Sequence, residues 1–389
     1  MEKEILIRGV EKIIGEEKIK TELQSGKILR VKHGVDPTTQ DLHLGYSVVY
    51  LKLKEFQDLG HKIIFLIGDF TARFGDPTDK IKSRNMRPKE EVEKLAKNYI
   101  DQVGKIIDIK KTEVRHNGEW YDKMSAEDLL RLMSKASHAE LIERDMFQER
   151  IKKEERIGLH ELVYPLLQGY DSVILEADLT ICGTDQLFNE LQGRKLQELS
   201  DQKPQSIISV PLLVGTDGKK KMSQSLGNYI GIGESAEQQF GKVMSISDDL
   251  IIDYFTLTTR VPMEDIGRYK KEIEEGKNPK EIKIILAKEI VTIYYGRDVA
   301  EKTAKEFDNV FQKKESPQDM TEIELSGNIP LPQLLADARL VTSGSEARRL
   351  IEAGAVEIDG AKITDVKSTI AAHPGMIIKV GKRRFAKIK

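Results

Sequence analysis

A histidine and a glycine, His43 and Gly45, lie in the segment DLHLGYS, where a helix is predicted to begin. The first backbone N–H groups of a helix have no partner within it and carry the positive end of its dipole, so they favour phosphate. Gly45 lets a flat ligand such as a purine lie against the backbone, and His43 can donate to charge developing on a phosphate. The alternative is a surface histidine beside a packing glycine, because short motifs often match by chance.

Three successive lysines, residues 219–221, lie in the segment GTDGKKKMSQSLGN. The run follows a predicted strand and is flanked by glycine and hydroxyl residues, which predicts a mobile loop that brings ammonium groups to a polyanion. A solvated basic turn explains the same composition. The segment alone does not separate these two interpretations.

A phenol, an amide and a carboxylate share one face of a predicted helix. In LHELVYPLLQGYD, Tyr164, Gln168 and Asp171 are spaced at i, i+4 and i+7. Together they can recognise an ammonium, a carboxylate or a hydroxyl. The alternative is a polar face turned to solvent, which is weakened because three leucines already define the packing side of the helix: Leu162, Leu166 and Leu167.

Acidic and amide side chains follow two further predicted strands. Asp76, in GDFTARFGDPT, comes soon after a buried strand, and Asp185 and Gln186, in CGTDQ, open a helix at the end of another. In open α/β sheets, ligands bind in the crevice outside the carboxyl ends of the strands. The four polar clusters therefore lie where one crevice would be, and their convergence is stronger evidence than any single motif.

The elements that must position these groups form repeated strand–helix units. Residues 27–31 predict a strand, residues 42–59 a helix that ends at Gly60, and KIIFLIGD a strand buried on both faces. A second unit has a strand to Cys182 and a helix capped by Thr184, and QSIISVPLLVG supplies another strand. We therefore predict that residues 1–232 form a doubly wound, parallel-sheet (Rossmann-like) α/β domain, with helices inserted at about residues 80–165.

The rest of the chain predicts two further domains. Residues 233–315 have a helical pattern throughout, and residues 316–330 read as a polar linker broken by proline and glycine. Residues 331–389 predict a small α+β unit with two short helices, a hairpin that turns at Asp359 and Gly360, and basic strands at its end.

Composition limits the class of protein. Of 389 residues, 39% are hydrophobic and 32% charged, and the longest apolar runs are too short for a membrane span. The charged N-terminus does not resemble a signal peptide, and the single Cys182 excludes an internal disulfide framework, so we expect a cytoplasmic protein. The net charge is −2, yet the last fifteen residues carry six Lys or Arg and no acid.

Those basic residues predict a surface that reads phosphates. Their confinement to one hairpin, with two arginines on the preceding helix, favours RNA binding over a mere gain in solubility. The candidate RNA-binding residues are Arg348, Arg349, Lys382, Arg383 and Arg384.

Six motifs in order resemble one family, the bacterial tyrosyl-tRNA synthetases of class I. The segment VKHGVDPT resembles the opening motif of one lineage of that family, DLHLGY resembles its "HIGH" element, and KMSQS its "KMSKS" loop. The segments YPLLQGYDS, GTDQLFN and SLGNYIGI are close to the family's sequences at these positions. The C-terminal unit resembles the small RNA-binding domain shared with a ribosomal small-subunit protein and several RNA-modifying enzymes. The likeness covers essentially the whole chain.

The resemblance implies a ligase that joins L-tyrosine to tRNA(Tyr) in two steps, with ATP and Mg²⁺. The tyrosine carboxylate attacks the α-phosphate of ATP, and the terminal ribose of the tRNA then takes the acyl group. It implies catalytic roles for His43, Lys221 and Ser223, with no protein nucleophile. The residues implied for ATP are Asp36, Gly45, Tyr46, Gly183, Asp185, Lys219, Lys220, Lys221 and Gln224.

The resemblance also assigns the amino-acid pocket and a partner copy. Asp76, Tyr164 and Gln168 would hold the ammonium of tyrosine, Asp171 would accept from its phenolic hydroxyl, and Gln186 would contact the amino acid. The family implies a homodimer formed through the inserted helices around residues 120–165.

Three departures from the family pattern bear on these assignments. Tyr46 replaces the second histidine of the "HIGH" element, and Gln224 replaces the second lysine of the "KMSKS" loop. Lys32 stands where many relatives carry a second tyrosine directed at the substrate phenol. Two alternatives therefore stay open: a catalytically weakened synthetase-like RNA-binding protein, and a class I ligase for tryptophan or another amino acid, which Asp171 disfavours.

Overall fold

A six-stranded sheet forms the centre of the first part of the chain in the computed structural model, which describes residues 2–77, 87–312, 321–323, 325, 327–341, 343–381 and 384–389. The strand order is β1-β6-β5-β2-β3-β4, and all neighbours are parallel except β1 and β6. The prediction of a doubly wound α/β sheet is confirmed. The strands are β1 (Lys12–Ile14), β2 (Arg30–Val35), β3 (Lys62–Ile67), β4 (Glu113–His116), β5 (Leu179–Gly183) and β6 (Ser206–Val210).

The first strand–helix–strand unit forms as its sequence predicts. A helix, Leu44–Asp58, connects β2 to β3, and Gly60 follows it with a φ of 85°, a left-handed conformation that suits glycine. The five residues from Ile63 to Ile67 are each at most 2% exposed, as a strand covered on both faces requires. Strand β2 extends beyond the predicted residues 27–31 because its pairing with β3 continues to Val35.

Two strands of this sheet were not predicted. Strand β1 pairs antiparallel with β6 at one edge, and β4 pairs with β3 at the other. Strand β4 lies inside residues 80–165, so the segment predicted as a purely helical insertion also contributes to the sheet.

Thr184 does not cap a helix, contrary to the prediction. Its hydroxyl donates to the backbone oxygen of Val210 at 2.9 Å, and a 3₁₀ turn, Thr184–Gln186, comes before the helix.

The chain divides into two compact units, Met1–Ala300 and Glu301–Lys389. Of residues 233–315, predicted as a separate helical domain, the described part is mostly helical, and its helices up to Tyr295 belong to the same compact unit as the sheet. The helices are α1 (Glu2–Ile5), α2 (Glu16–Gln24), α3 (Leu44–Asp58), α4 (Lys89–Val103), α5 (Gly118–Tyr121), α6 (Ala126–Met133), α7 (His138–Ile142), α8 (Asp145–Lys152), α9 (Leu159–Ile174), α10 (Leu187–Glu198), α11 (Ala236–Met244), α12 (Ile251–Thr258), α13 (Met263–Glu274), α14 (Pro279–Tyr295) and α15 (Arg297–Gln312).

The second unit packs two helices against small sheets, as predicted for the C-terminal region. Its elements are β7 (Thr321–Ile323), β8 (Gly327–Pro330), α16 (Leu331–Asp337), α17 (Gly344–Glu352), β9 (Val356–Ile358), β10 (Ala361–Ile363), β11 (Thr369–Ala372), β12 (Ile377–Val380) and β13 (Arg384–Ile388). The hairpin of β9 and β10 turns at Asp359 and Gly360, both with positive φ. The prediction of a linker at residues 316–330 is wrong for β7 and β8, which pair with β13 and β11.

Among the described residues, no helix is both long enough and apolar enough to cross a membrane.

Candidate active site

The polar clusters meet at the carboxyl ends of the parallel strands. Asp36 follows β2, Thr71 lies shortly after β3, Asn117 follows β4, and Asp185 follows β5. The chain leaves β2 toward β3 on one side, while β5 lies on the other side, so this edge of the sheet contains the topological switch point where α/β folds bind ligands.

His43 caps the first crossover helix with its own side chain. Its Nδ1 accepts a hydrogen bond from the backbone N–H of Gly45 at 3.2 Å. Burial, and to a lesser extent the nearby Lys221 ammonium, lowers the pKa of His43 to about 4, so the ring is neutral at pH 7. Because Nδ1 is an acceptor, the proton is on Nε2, which can donate to a ligand at the helix N-terminus.

Gly45 is required because of the histidine ring beside it. A Cβ at this position would lie 2.9 Å from atoms of the His43 imidazole and 3.8 Å from the Cβ of Met222. Any side chain here would push the imidazole out of its capping position. The close approach of Met222 also places the lysine loop beside the start of α3.

Tyr46 packs among aromatic rings at the start of α3. Its ring centroid is 4.6 Å from that of His43 and 6.5 Å from that of Tyr50, with which it is stacked. The phenol that replaces a histidine in the family motif therefore supports His43 by ring contact.

An isolated antiparallel bridge joins Val214 and Lys221 across the lysine loop. Asn228 fixes it by accepting from the backbone N–H of Ser223 at 2.9 Å and donating to the backbone oxygen of Lys221 at 3.1 Å. Gln224 donates its side-chain amide to the backbone oxygen of Asp41, two residues before His43. The second departure from the family motif therefore ties the loop to the entrance of α3.

Lys221 forms an ion pair with Asp185 at 3.2 Å, while the side chains of Lys219 and Lys220 are exposed. The Lys221 side chain is 51% exposed, and such pairs contribute at most about 1 kcal/mol. Lys221 can therefore leave Asp185 for a polyanion at little cost. Gly183 accommodates Asp185, because a Cβ on Gly183 would lie 2.7 Å from its carboxylate.

The carboxylate of Asp36 is held by two hydroxyl donors. Thr71 donates to Oδ1 at 2.7 Å and Tyr164 donates to Oδ2 at 2.9 Å. A Cβ on Gly68 would lie 1.9 Å from Oδ1, so only glycine fits behind this carboxylate. Burial, together with the neighbouring charges of Asp76 and Asp171, raises the pKa of Asp36 to about 7, although Asp36 keeps partial exposure to solvent.

Asp171 lies deeper, at 3% exposure. Trp120 Nε1 donates to one of its oxygens at 3.1 Å, and Asn117 Nδ2 donates to the other at 3.4 Å. Burial raises the pKa of Asp171 to about 7, and the Lys32 ammonium is the largest influence in the opposite direction. Asn117 also donates to Thr71 at 3.0 Å, which connects Asp171 to the group that holds Asp36.

A second chain of hydrogen bonds joins Gln168 to Asp76. Gln168 Oε1 accepts from Asn189 at 2.8 Å, the same Asn189 amide donates to Gln186 at 3.0 Å, and Gln186 donates to Asp76 at 2.9 Å. Gln168 also donates to Glu190 at 2.9 Å. The structure thus brings together Tyr164, Gln168, Asp171, Asp76 and Gln186, as the sequence predicts.

The basic residues of the C-terminal unit are only partly described. Arg348 and Arg349 are exposed on α17. Arg384 donates to the backbone oxygen of Leu340 at 2.7 Å and to Glu346 at 2.8 Å, so its charge is partly used inside the unit. Lys382 and Arg383 lie outside the described residues.

Four residues of the site were not found from the sequence: Thr71, Asn117, Trp120 and Glu190. Asn117 and Trp120 follow β4, whose polar residues and Lys/Glu-rich surroundings hide its strand pattern. Glu190 lies one helical turn beyond Gln186 on the same face, a spacing that could have revealed it.

Comparison with known proteins identifies two matching families. Residues 24–312 match the family of class I tRNA synthetases (W and Y), and residues 312–388 match the C-terminal domain of SYY-like tyrosine–tRNA ligases. The chain is 48% identical over 385 residues to a tyrosine–tRNA ligase of Francisella tularensis, covering 99% of this chain and 97% of that protein. It is 47% identical over 381 residues to tyrosine–tRNA ligase 2 of Vibrio cholerae, covering 98% and 96%.

Solved structures share the fold at lower identity. A tyrosyl-tRNA synthetase of Archaeoglobus fulgidus complexed with L-tyrosine has a TM-score of 0.61 at 20% identity, covering 77% of this chain and 98% of that chain. A truncated mitochondrial tyrosyl-tRNA synthetase of Aspergillus nidulans has a TM-score of 0.65 at 20% identity, covering 78% and 91%.

Proposed function

This chain belongs to the family of class I tRNA synthetases for tryptophan and tyrosine, and we infer that it is a tyrosine–tRNA ligase whose crevice binds tyrosine beside ATP. One observation supports the choice of amino acid: the buried Asp171 carboxylate receives two N–H donors, and we assign the phenolic hydroxyl of tyrosine to it as a third. A site built to bond a hydroxyl leaves buried polar groups unpaired when that hydroxyl is missing, so phenylalanine is rejected without editing.

The ammonium of tyrosine is assigned to the other end of the pocket. Asp76, Tyr164 and Gln168 converge there, and Asp36 accepts from Tyr164. Binding of a cation beside Asp36 and Asp76 favours their ionised forms, because opposite charges stabilise each other in a buried site. Gln186, which donates to Asp76, orients that carboxylate toward the amino acid.

Activation of tyrosine joins its carboxylate to the α-phosphorus of ATP. A carboxylate oxygen forms the new bond, the bond from the α-phosphorus to the bridging oxygen breaks, and pyrophosphate leaves with that electron pair. Neutral His43 donates from Nε2 to the charge that develops on the α-phosphate, and Gly45 lets the nucleotide approach the helix N-terminus. Lys221 leaves Asp185 for the pyrophosphate, with Lys219, Lys220 and Ser223 beside it.

Transfer to RNA uses the same crevice. The terminal ribose hydroxyl of tRNA(Tyr) attacks the carbonyl carbon of tyrosyl-adenylate, its proton passes to the departing phosphate, and AMP leaves. Both steps depend on positioning and charge stabilisation, without a covalent enzyme intermediate. The exposed Arg348 and Arg349 support RNA binding by the C-terminal unit, together with Lys382, Arg383 and Arg384.

Magnesium is proposed to arrive bound to ATP. The described residues contain no group of three or more His, Cys, Asp or Glu side chains placed to hold a metal ion. Mg²⁺ commonly takes most of its ligands from water and substrate phosphate, so it does not need such a cluster of protein ligands. When bound, the ion would neutralise phosphate charge.

A homodimer in the cytoplasm is proposed as the working form. Helices of the inserted segment expose large apolar side chains to solvent, among them Leu130 at 64%, Ile151 at 48% and Leu159 at 80%. Large apolar side chains exposed in this way support an interface between protein chains. An identical copy is the partner that the family resemblance implies.

Amino-acid-dependent exchange of pyrophosphate into ATP tests the assignment. We expect exchange with L-tyrosine and a kcat/KM at least about a thousandfold lower with L-phenylalanine or L-tryptophan; tyrosyl-tRNA synthetases are the known example of discrimination by a hydrogen-bonded hydroxyl. Exchange with tryptophan alone would instead indicate a tryptophan–tRNA ligase, the other specificity of the family. Exchange with no amino acid would support the alternative of an RNA-binding protein that has lost activation.

A further inference from the structure

A lysine and a glutamate form an ion pair beneath the amino-acid pocket. Lys32 lies on β2 and Glu190 on α10, and their side chains are 1% and 3% exposed with Nζ and Oε2 2.9 Å apart. Neither residue has a role in the steps described above. A buried pair of this kind is weak evidence for stability, since apolar residues of similar volume often replace such pairs without loss.

The surroundings of the pair point to the substrate. The Lys32 ammonium also donates to the Ser172 hydroxyl at 2.7 Å, and Ser172 is the residue next to Asp171 in α9. Glu190 accepts from Gln168 at 2.9 Å, one turn earlier on the same helix. The ion pair therefore contacts the helix that carries both the phenol-binding and the ammonium-binding groups.

The two charges are not equivalent with respect to Asp171. Lys32 bonds to Ser172, the residue next to Asp171, whereas Glu190 also accepts from Gln205, which donates to Oε2 at 3.1 Å. Of the charges around Asp171, that of Lys32 most strongly lowers its pKa, against the effect of burial. Asp171 thus has a cation close to it that is itself fixed in place.

We propose that Lys32, held by Glu190 and bonded to Ser172 beside Asp171, is a specificity-determining residue for tyrosine: its buried ammonium favours the carboxylate form of Asp171, which accepts the substrate's phenolic hydroxyl. Lys32 acts through Asp171 and is a positioning residue. Phenylalanine makes no bond to Asp171, so its binding does not depend on this charge. The inference deepens the proposed function and rests on it.

The test compares the parent with Lys32→Met/Glu190→Gln. This double variant removes both charges at similar side-chain volume, so no buried charge is left unpaired. The glutamine keeps one acceptor oxygen, so one of the amide donors Gln168 and Gln205 loses its partner at every pH. We measure kcat/KM for tyrosine in pyrophosphate exchange from pH 6 to pH 9, and Ki for phenylalanine as a competitor. The pH at which Asp171 ionises is followed independently by the fluorescence of Trp120, the only tryptophan in the chain, which donates to that carboxylate.

The double variant is expected to lose tyrosine preference at neutral pH and recover it at high pH. A nearby opposite charge shifts a buried carboxyl by about one to three pKa units, and we take the lower end because the charge of Glu190 is removed as well. At pH 7, kcat/KM for tyrosine should then fall about fivefold and recover to within about twofold at pH 9. The Ki of phenylalanine should change less than about twofold, and the Trp120 transition should move upward in pH by about one unit.

A matched control removes another buried lysine. Lys52 is 3% exposed, donates to the backbone oxygen of Ile5 and pairs with Glu55. Lys52→Met is expected to leave the ratio of tyrosine to phenylalanine affinity and the Trp120 transition unchanged, even if it lowers stability.

The outcomes separate the two claims. If the parent shows no tyrosine-dependent exchange, the proposed function fails. If the parent exchanges with tyrosine, and the double variant keeps both the parent's preference at pH 7 and its Trp120 transition, the inference about Lys32 is overturned and the pair is structural.

Discussion

Replacement of Asp171 by asparagine is expected to stabilise the protein at neutral pH while it weakens tyrosine binding. Burial raises the pKa of Asp171 from 3.8 to about 7 against the effect of Lys32, so between these values the folded state holds a proton that the unfolded chain has released. Stability therefore falls as pH rises through this window, and the full penalty is present above pH 7. The loss is at most about 1.4 kcal/mol per pH unit, which gives about 2 kcal/mol between pH 5 and pH 7 and about 3 kcal/mol by pH 8.

The variant removes this pH dependence. Asparagine has one acceptor where the carboxylate has two, so one of the donors Trp120 and Asn117 loses its partner. That penalty, about 1–3 kcal/mol, is the same at every pH. The difference in unfolding free energy between Asp171→Asn and the parent should thus shift by about 3 kcal/mol in favour of the variant between pH 5 and pH 8.

Urea unfolding followed by Trp120 fluorescence measures that difference. Trp120 lies in the unit Met1–Ala300, so its signal reports the unfolding of the part of the chain that contains the site. Glu127→Gln, on the exposed face of α6, serves as control and should differ from the parent equally at pH 5 and pH 8. A constant gap for Asp171→Asn would refute the reasoning, because it would mean that Asp171 is ionised across the whole range.

Three further predictions concern the other groups. His43→Ala should lower the rate of tyrosyl-adenylate formation by about 10²–10³-fold in single-turnover assays with little change in tyrosine affinity, because its donor acts on developing charge; a loss confined to affinity would contradict that role. Arg348→Glu/Arg349→Glu should raise KM for tRNA(Tyr) more than about tenfold and flatten its salt dependence, with pyrophosphate exchange intact as the control. Tyr46→His and Gln224→Lys should combine non-additively in ATP affinity, by at least about 0.5 kcal/mol, since both residues brace the His43 segment; strict additivity would show that they act independently.

The positions of the main site residues could be predicted because they follow strongly patterned elements. Strand β3 is a continuous apolar run, and α3 has helical spacing and a glycine at its end, so the ends of both elements were located. Tyr164, Gln168 and Asp171 share a helix face whatever the tertiary structure. The local sequence pattern is therefore sufficient to predict a cluster of site residues when a single helix carries all of them.

The rest depends on contacts between distant parts of the chain. Strand β4 is a short edge strand with polar residues, and its existence depends on pairing with β3. Asn117 enters the site only because that pairing exists. Likewise, Lys32 and Glu190 are 158 residues apart, and each alone reads as a surface charge. The sequence pattern of a segment indicates its secondary structure, whereas the partner of a buried charge depends on which distant segments the fold brings together.

The two ends of the amino-acid pocket are joined by one hydrogen-bonded chain. It runs from Asp171 through Asn117 and Thr71 to Asp36, and from there to Tyr164. Each member stands after β2, β3 or β4 or on α9, so the chain exists only when these three strands are paired. Because Asn117 donates to both Asp171 and Thr71, a change in the ionisation of one carboxyl alters how firmly the other is held. A phenol at one end and an ammonium at the other therefore favour the same charged state of the site, which makes recognition of tyrosine depend on both groups at once.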